Sequence, residues 1–304
     1  METLRTPEHA FDEVPGFDWP HQRVPVPDDD GNELEVAVVR AGPADAPVVV
    51  CLHGEPSWSF LYRHVIDALV AAGLQVVAPD LVGFGRSDKP RERTDHTYER
   101  HVGWLRGALF DQLDLRDVTL LGQDWGGLLG LRLVAEHPDR FARVVAANTF
   151  LPTGDSPPGD AFLAWQRFSQ EVPELPIGAI VDGGSATDLI PEVIAAYDAP
   201  FPDESYKEGP RQMPMLVPTS PDDPASAANR AAWEVLRRFD RPFVCAFSDG
   251  DPITAGADRI LQHEIPGAAG QPHVTLTGGG HFLQEDCSAD LAGVVAALVH
   301  HERA

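Results

Sequence analysis

Val118-Thr119-Leu120-Leu121 is a run of apolar and β-branched residues that suits a short buried strand. Gly122-Gln123-Asp124-Trp125-Gly126-Gly127 follows it, and residues 128–136 read as a helix. A strand that feeds a helix through a turn with glycines on both sides lifts a nucleophile clear of a sheet edge. The glycines answer a steric need, because a Cβ at Gly122 or Gly126 would collide with neighbouring backbone. The apex residue is Asp124, where a serine more often stands. A carboxylate is already nucleophilic at neutral pH. Its attack on a carbon that bears a leaving group would form an enzyme ester. Water must then attack the ester carbonyl, which requires a general base and an oxyanion hole.

Other residues suit those roles. His281 follows Gly278-Gly279-Gly280, where a flexible backbone can aim it at Asp124. The acid that holds its imidazole in one tautomer is Asp249 or Asp251, in Ser248-Asp249-Gly250-Asp251-Pro252. Asp251 is favoured because Pro252 stiffens the backbone after it, leaving Asp249 as a turn residue. Asn148 ends an earlier strand, from which an acid could also reach the histidine, but it is neutral. In His53-Gly54-Glu55-Pro56, the backbone N–H of Glu55 would serve as one oxyanion donor and that of Trp125 as the other. An indole N–H on a rigid apolar ring only donates. Trp125 and Trp165, if they converge, suit a weakly hydrated halide, which departs without needing a proton.

The elements around these residues alternate. Strands are expected at 34–40, 48–52, 75–78, 143–148, 242–247 and 274–277, with helices at 62–72, 101–113, 128–136 and 288–301. Such alternation implies an α/β fold with a mostly parallel sheet covered on both sides. The order nucleophile, acid, histidine is that of the α/β-hydrolase fold. Pro152, Gly154, Pro157, Pro158 and Gly159 read as a hinge. Residues 152–238 are expected to form an inserted helical cap, with its most regular helix at 160–170 and another at 224–239. The core domain is then 1–151 with 239–304. Residues 1–33 are rich in Pro and Asp, with a turn at Asp29-Asp30-Gly31. Gly83 and Gly85 lack the Gly-Lys-[Ser/Thr] of a phosphate loop, so nucleotide binding is not expected.

The 304 residues are enough for one large domain with an insertion. A net charge of −24 argues against nucleic acid and anionic membranes as partners. Three cysteines make no disulfide framework, and no metal-binding spacing is present. No signal-like segment or run long enough for a membrane helix stands out, so a cytoplasmic monomer without cofactor or metal is expected.

His53-Gly54-Glu55-Pro56, Gly122-Gln123-Asp124-Trp125-Gly126-Gly127 and Gly280-His281-Phe282-Leu283-Gln284-Glu285-Asp286 together resemble the haloalkane dehalogenases. The similarity runs from about residue 20 to residue 300. It is strongest to the subfamily whose acid follows the later strand. The resemblance implies hydrolysis of haloalkanes to a primary alcohol, halide and a proton. It also implies Asp124 as nucleophile, His281 as base, Asp251 as acid, Glu55 with Trp125 at the oxyanion hole, and Trp125 with Trp165 at the halide. Phe150 and Phe162 are expected in the substrate pocket. The alternatives are an epoxide hydrolase, which would draw on Tyr197 and Tyr206 as proton donors, a fluoroacetate-type dehalogenase, and a non-catalytic binder. Trp125 stands in the neighbourhood where the second would look for an arginine, and the complete nucleophile, base and acid set argues against the third.

Overall fold

Among the described residues, eight strands form one sheet: β1 (His21–Pro27), β2 (Glu33–Ala41), β3 (Val48–Leu52), β4 (Gln75–Pro79), β5 (Val118–Gln123), β6 (Phe141–Ala147), β7 (Phe243–Ser248) and β8 (Val274–Leu276). The computed structural model describes residues 1–28 and 31–301, so Asp29 and Asp30 of the expected turn lie outside the described residues. The strands lie in the order β8, β7, β6, β5, β3, β4, β2, β1. From β8 to β4 all neighbours are parallel, whereas β2 and β1 are antiparallel additions at one edge. β3 and β5 are central and covered on both faces, which explains their unbroken apolar runs.

β1 has no counterpart among the expected strands. Its sequence, His21-Gln22-Arg23-Val24-Pro25-Val26-Pro27, carries two prolines, which argue against a central strand. It occupies an edge, where proline is tolerated, and pairs Val24 with Val36. The helix expected at 101–113 is also different. α2 (Tyr98–Arg106) starts earlier, with Thr97 accepting a hydrogen bond from the Arg100 N–H, and then widens into a π-helical stretch, Gly107–Gln112.

The other helices are α1 (Arg63–Ala71), α3 (Trp125–Glu136), α4 (Asp160–Glu171), α5 (Ile177–Gly184), α6 (Pro191–Asp198), α7 (Glu208–Leu216), α8 (Ser226–Leu236), α9 (Ala257–Glu264), α10 (Leu283–Asp286) and α11 (Ser288–His301). α4 to α8 all fall between β6 and β7. α8 is tied to α3 by the Arg132 guanidinium, which donates to Asn229 Oδ1 at 3.0 Å. The Gly83–Gly85 loop is folded around Asp80, whose carboxylate accepts from the Ser59 and Arg86 N–H groups. Its glycine is needed there: a Cβ on Gly85 would come within 2.2 Å of the Asp80 carboxyl.

Candidate active site

β5 ends at Gln123, and Asp124 makes the turn into α3 with φ +50° and ψ −126°. That is a rare conformation for a residue with a side chain. It is held in place by the Asp124 N–H donating to the Asn148 carbonyl (3.0 Å) and the Thr149 hydroxyl donating to the Asp124 carbonyl (2.7 Å). The flanking glycines are obligatory. A Cβ on Gly126 would lie 2.0 Å from the Leu52 carbonyl oxygen, and one on Gly122 2.9 Å from Gly126. Gly54 is equally constrained, since a Cβ there would meet the Asp124 side chain at 2.4 Å.

The three residues expected to act together do meet. His281 Nε2 is 3.6 Å from Asp124 Oδ2, and His281 Nδ1 is 3.1 Å from Asp251 Oδ1. The second contact falls short of full hydrogen-bond alignment. Asp251 also accepts from the Ile253 N–H (2.9 Å) and the Thr254 hydroxyl. Burial works against its charge, but His281 and these donors hold the carboxyl below the usual carboxylate range. Asp249 is a turn residue that accepts from the Gly278 N–H at 2.8 Å. For His281, burial opposes the charged imidazolium, yet the two carboxylates beside it outweigh that and push it up to about 10.

The Glu55 backbone N–H donates to Asp124 Oδ1 at 2.8 Å, so one carboxylate oxygen already rests where an oxyanion would form. His53 stiffens this loop. Its Nε2 accepts from the Leu81 N–H (2.9 Å) while Nδ1 faces the Gly54 carbonyl (2.9 Å), which assigns the neutral tautomer with the proton on Nδ1.

Asp124 opens onto a cavity of about 1310 Å³, lined in part by Trp125, Trp165, Phe150 and Phe162. Every residue expected at the site therefore borders this cavity or, like Asp251, stands directly behind His281.

Several side-chain roles at the site had no sequence signal. The Glu55 side chain itself is buried, and one of its carboxyl oxygens has no partner. Burial first, and then the Asp124 charge, push this carboxyl well above its ordinary value, while His281 and the Trp165 indole N–H pull the other way. The buried Glu55 carboxyl is thus shifted toward its protonated form. Gln123 donates to the His281 carbonyl at 3.1 Å and lies 3.3 Å from its Nε2. The Asn148 side chain donates to Ser248 Oγ and to the Gly280 and His281 carbonyls, and accepts from the Ser248 N–H. Its amide anchors the loop that carries His281.

Comparison with known proteins sets this geometry in a family. The family model for the alpha/beta hydrolase fold matches residues 47–286. A haloalkane dehalogenase of Psychrobacter cryohalolentis is 56% identical over 300 residues, covering 99% of each chain. The chain belongs to the haloalkane dehalogenases. A second member, from Mycobacterium marinum, is 49% identical over 292 residues, 96% of this chain and 98% of the relative. Among solved structures, the haloalkane dehalogenase DpaA from Paraglaciecola agarilytica, described as tetrameric, is similar with a TM-score of 0.88 at 35% identity, covering 96% of this chain and 97% of that one.

As a haloalkane dehalogenase, the enzyme is a hydrolase that cleaves carbon–halogen bonds with water. The epoxide-hydrolase alternative is not favoured. Neither Tyr197 nor Tyr206 is among the residues lining the cavity, and the Tyr197 hydroxyl is spent on Glu285. Among the described residues no helix is long and apolar enough to cross a membrane, and no group of three or more His, Cys, Asp or Glu side chains is placed to hold a metal ion.

Proposed function

We propose that the dehalogenase works through an ester on Asp124. Asp124 Oδ2 attacks the halogen-bearing carbon and the halide departs with the bonding electrons. The indole N–H groups of Trp125 and Trp165 receive the anion. Asp124 Oδ1 becomes the ester carbonyl oxygen, still facing the Glu55 N–H. The Trp125 N–H, first in α3, is the second oxyanion donor. Water then gives a proton to His281 and attacks the Asp124 Cγ. The tetrahedral intermediate collapses, the alcohol takes Oδ2 away, and the water oxygen remains in the carboxylate. The proton passes to solvent, so haloalkane and water yield primary alcohol, halide and a proton.

The observation that carries this reading is the contact of His281 with both carboxylates at once. In the free enzyme two negative charges favour the imidazolium. Esterification removes the Asp124 charge, so the histidine loses part of that support and can release its proton before the hydrolytic step. Alkylation thereby prepares the base it needs. The upward shift of the Glu55 carboxyl fits the same scheme, since a charged carboxylate there would repel both the nucleophile and the departing halide.

Residues 152–238 act as the cap in this reading, with α4 bringing Trp165 to the halide and α8 serving as a strut against α3. Phe150 and Phe162 form walls of the substrate pocket. One chain supplies every group named, so the single chain is the catalytic unit in any assembly. Three free cysteines accord with a cytoplasmic setting.

The test is His281→Ala treated with a bromoalkane that the parent enzyme turns over. A mass increase equal to the alkyl group, located on the peptide containing Asp124, is expected. Absence of the adduct would overturn the two-step scheme.

A further inference from the structure

The cavity is larger than a short haloalkane needs. Pockets that enclose a drug-sized ligand measure roughly 300–1,000 Å³, and this one measures about 1310 Å³. One face of α4 forms part of its wall. Phe162, Trp165 and Phe168 follow one another at three-residue steps along that helix, and all three line the cavity. Of the twelve residues of α4, only Ser169 is buried, and Phe168 is 43% exposed. An aromatic helix face left half open holds apolar area that a ligand can remove from water. Phe150 borders the same cavity, with its ring 5.7 Å from that of Trp233.

The charged side chains of the wall are already used. Arg230 pairs with Asp155 at 2.9 Å, and Arg237 pairs with Glu264 at 2.8 Å and Glu234 at 3.1 Å. They present little free charge to an ionic tail, while the net charge of −24 disfavours anionic substrates in general.

We infer that the preferred substrates are neutral primary haloalkanes with a long or aryl-bearing apolar tail, and that Phe162, Trp165 and Phe168 of α4 are the surface that selects them. The inference rests on the reading that the reacting carbon sits at Asp124. A tail lying along α4 contributes binding energy remote from the reacting carbon, and that energy can be used at the transition state.

The experiment measures kcat/KM for terminal bromoalkanes from bromoethane to bromooctane, and for (4-bromobutyl)benzene, with the parent enzyme, Phe168→Ala and Phe168→Leu. For the parent, kcat/KM should rise by up to about fourfold per added methylene until the tail is covered. The phenyl substrate should rank with the longer alkyl ones. Phe168→Ala should flatten that slope, mainly through KM for the long tails, and Phe168→Leu should restore part of it. A parent enzyme that turns over bromoethane best and loses efficiency with every added carbon would overturn this inference and leave the Asp124 scheme standing. So would a slope that Phe168→Ala does not change. Failure to release halide from any of these compounds would instead overturn the reading of the site, and this inference with it.

Discussion

Asp124 combines a strained backbone with an unobstructed carboxylate. Its positive φ is fixed by backbone and side-chain bonds from the residues just after β6, so the carboxylate, the nucleophile in the proposed scheme, is aimed before a substrate arrives. Glu55 is the neighbour whose chemistry is least expected from its type. A charge there would oppose the proposed reaction, and burial together with the Asp124 charge favours the protonated form. Glu55→Gln should therefore keep kcat and halide affinity within about threefold of the parent, because charge and shape are nearly conserved. Steady-state kinetics with bromide inhibition checks this. A collapse of halide affinity in Glu55→Gln would show that the carboxyl is needed as an acid or an anion.

The element that matters most is the turn from β8 into α10. It is held by more than the contacts of His281 with Asp124 and Asp251. The His281 N–H donates to the Gly184 carbonyl at 2.7 Å, and the Asp286 carboxylate accepts from the Gly280, Ala186 and Thr187 N–H groups at 2.8–2.9 Å. Asp286 thus clamps the segment after α5 to the loop bearing His281. Glu285, beside it, takes both arms of Arg63 and the Tyr197 hydroxyl, tying α6 and α1 to the same corner. Asp286→Ala should lower kcat by about 10- to 100-fold with little change in KM, through slower ester hydrolysis. The alkyl adduct should become visible by mass spectrometry during turnover. Asp286→Asn should recover part of the rate. A variant that only melts earlier, without accumulating adduct, would confine Asp286 to a structural role.

This corner also marks where reading the sequence reached its limit. Asp124, His281 and Asp251 were legible because each follows a strand and is announced by glycine or proline, a local signal. The alternation of strands and helices revealed the sheet in the same way. β1 was not legible, because prolines weaken a strand signal unless its edge position is known. The clamp by Asp286, the anchoring amide of Asn148 and the upward shift of the Glu55 carboxyl depend on partners tens to hundreds of residues away. No spacing along the chain records such partnerships.

At the scale of the whole molecule, stability should respond to acid. His96 and His101 stack in the interior with ring centroids 5.3 Å apart, and His96 Nδ1 lies 3.2 Å from His101 Nε2. Asp95, Glu208 and Arg100 act on His96 from the surrounding elements, and Trp104 packs against both rings. Burial lowers His96 to about 4 and His101 well below its ordinary value. Below about pH 6.5 the unfolded chain takes up protons that the folded one refuses, so the neutral pair supports folding above that pH and the support is lost as pH falls towards 4. The loss is on the order of 3 kcal/mol for one such group. Thermal melting followed from pH 7 to pH 4 should show a steep fall in Tm, and His101→Phe should make that fall shallower. An unchanged slope in the variant would mean that other groups set the acid limit.

The two borders of the sheet carry a last consequence. On one side Pro25 and Pro27 bring no N–H to the outermost strand, and on the other the final strand is only three residues long. Neither rim offers a foreign peptide a continuous row of donors and acceptors. Edge-to-edge pairing of copies of this chain into ribbons is therefore disfavoured at both borders of this sheet.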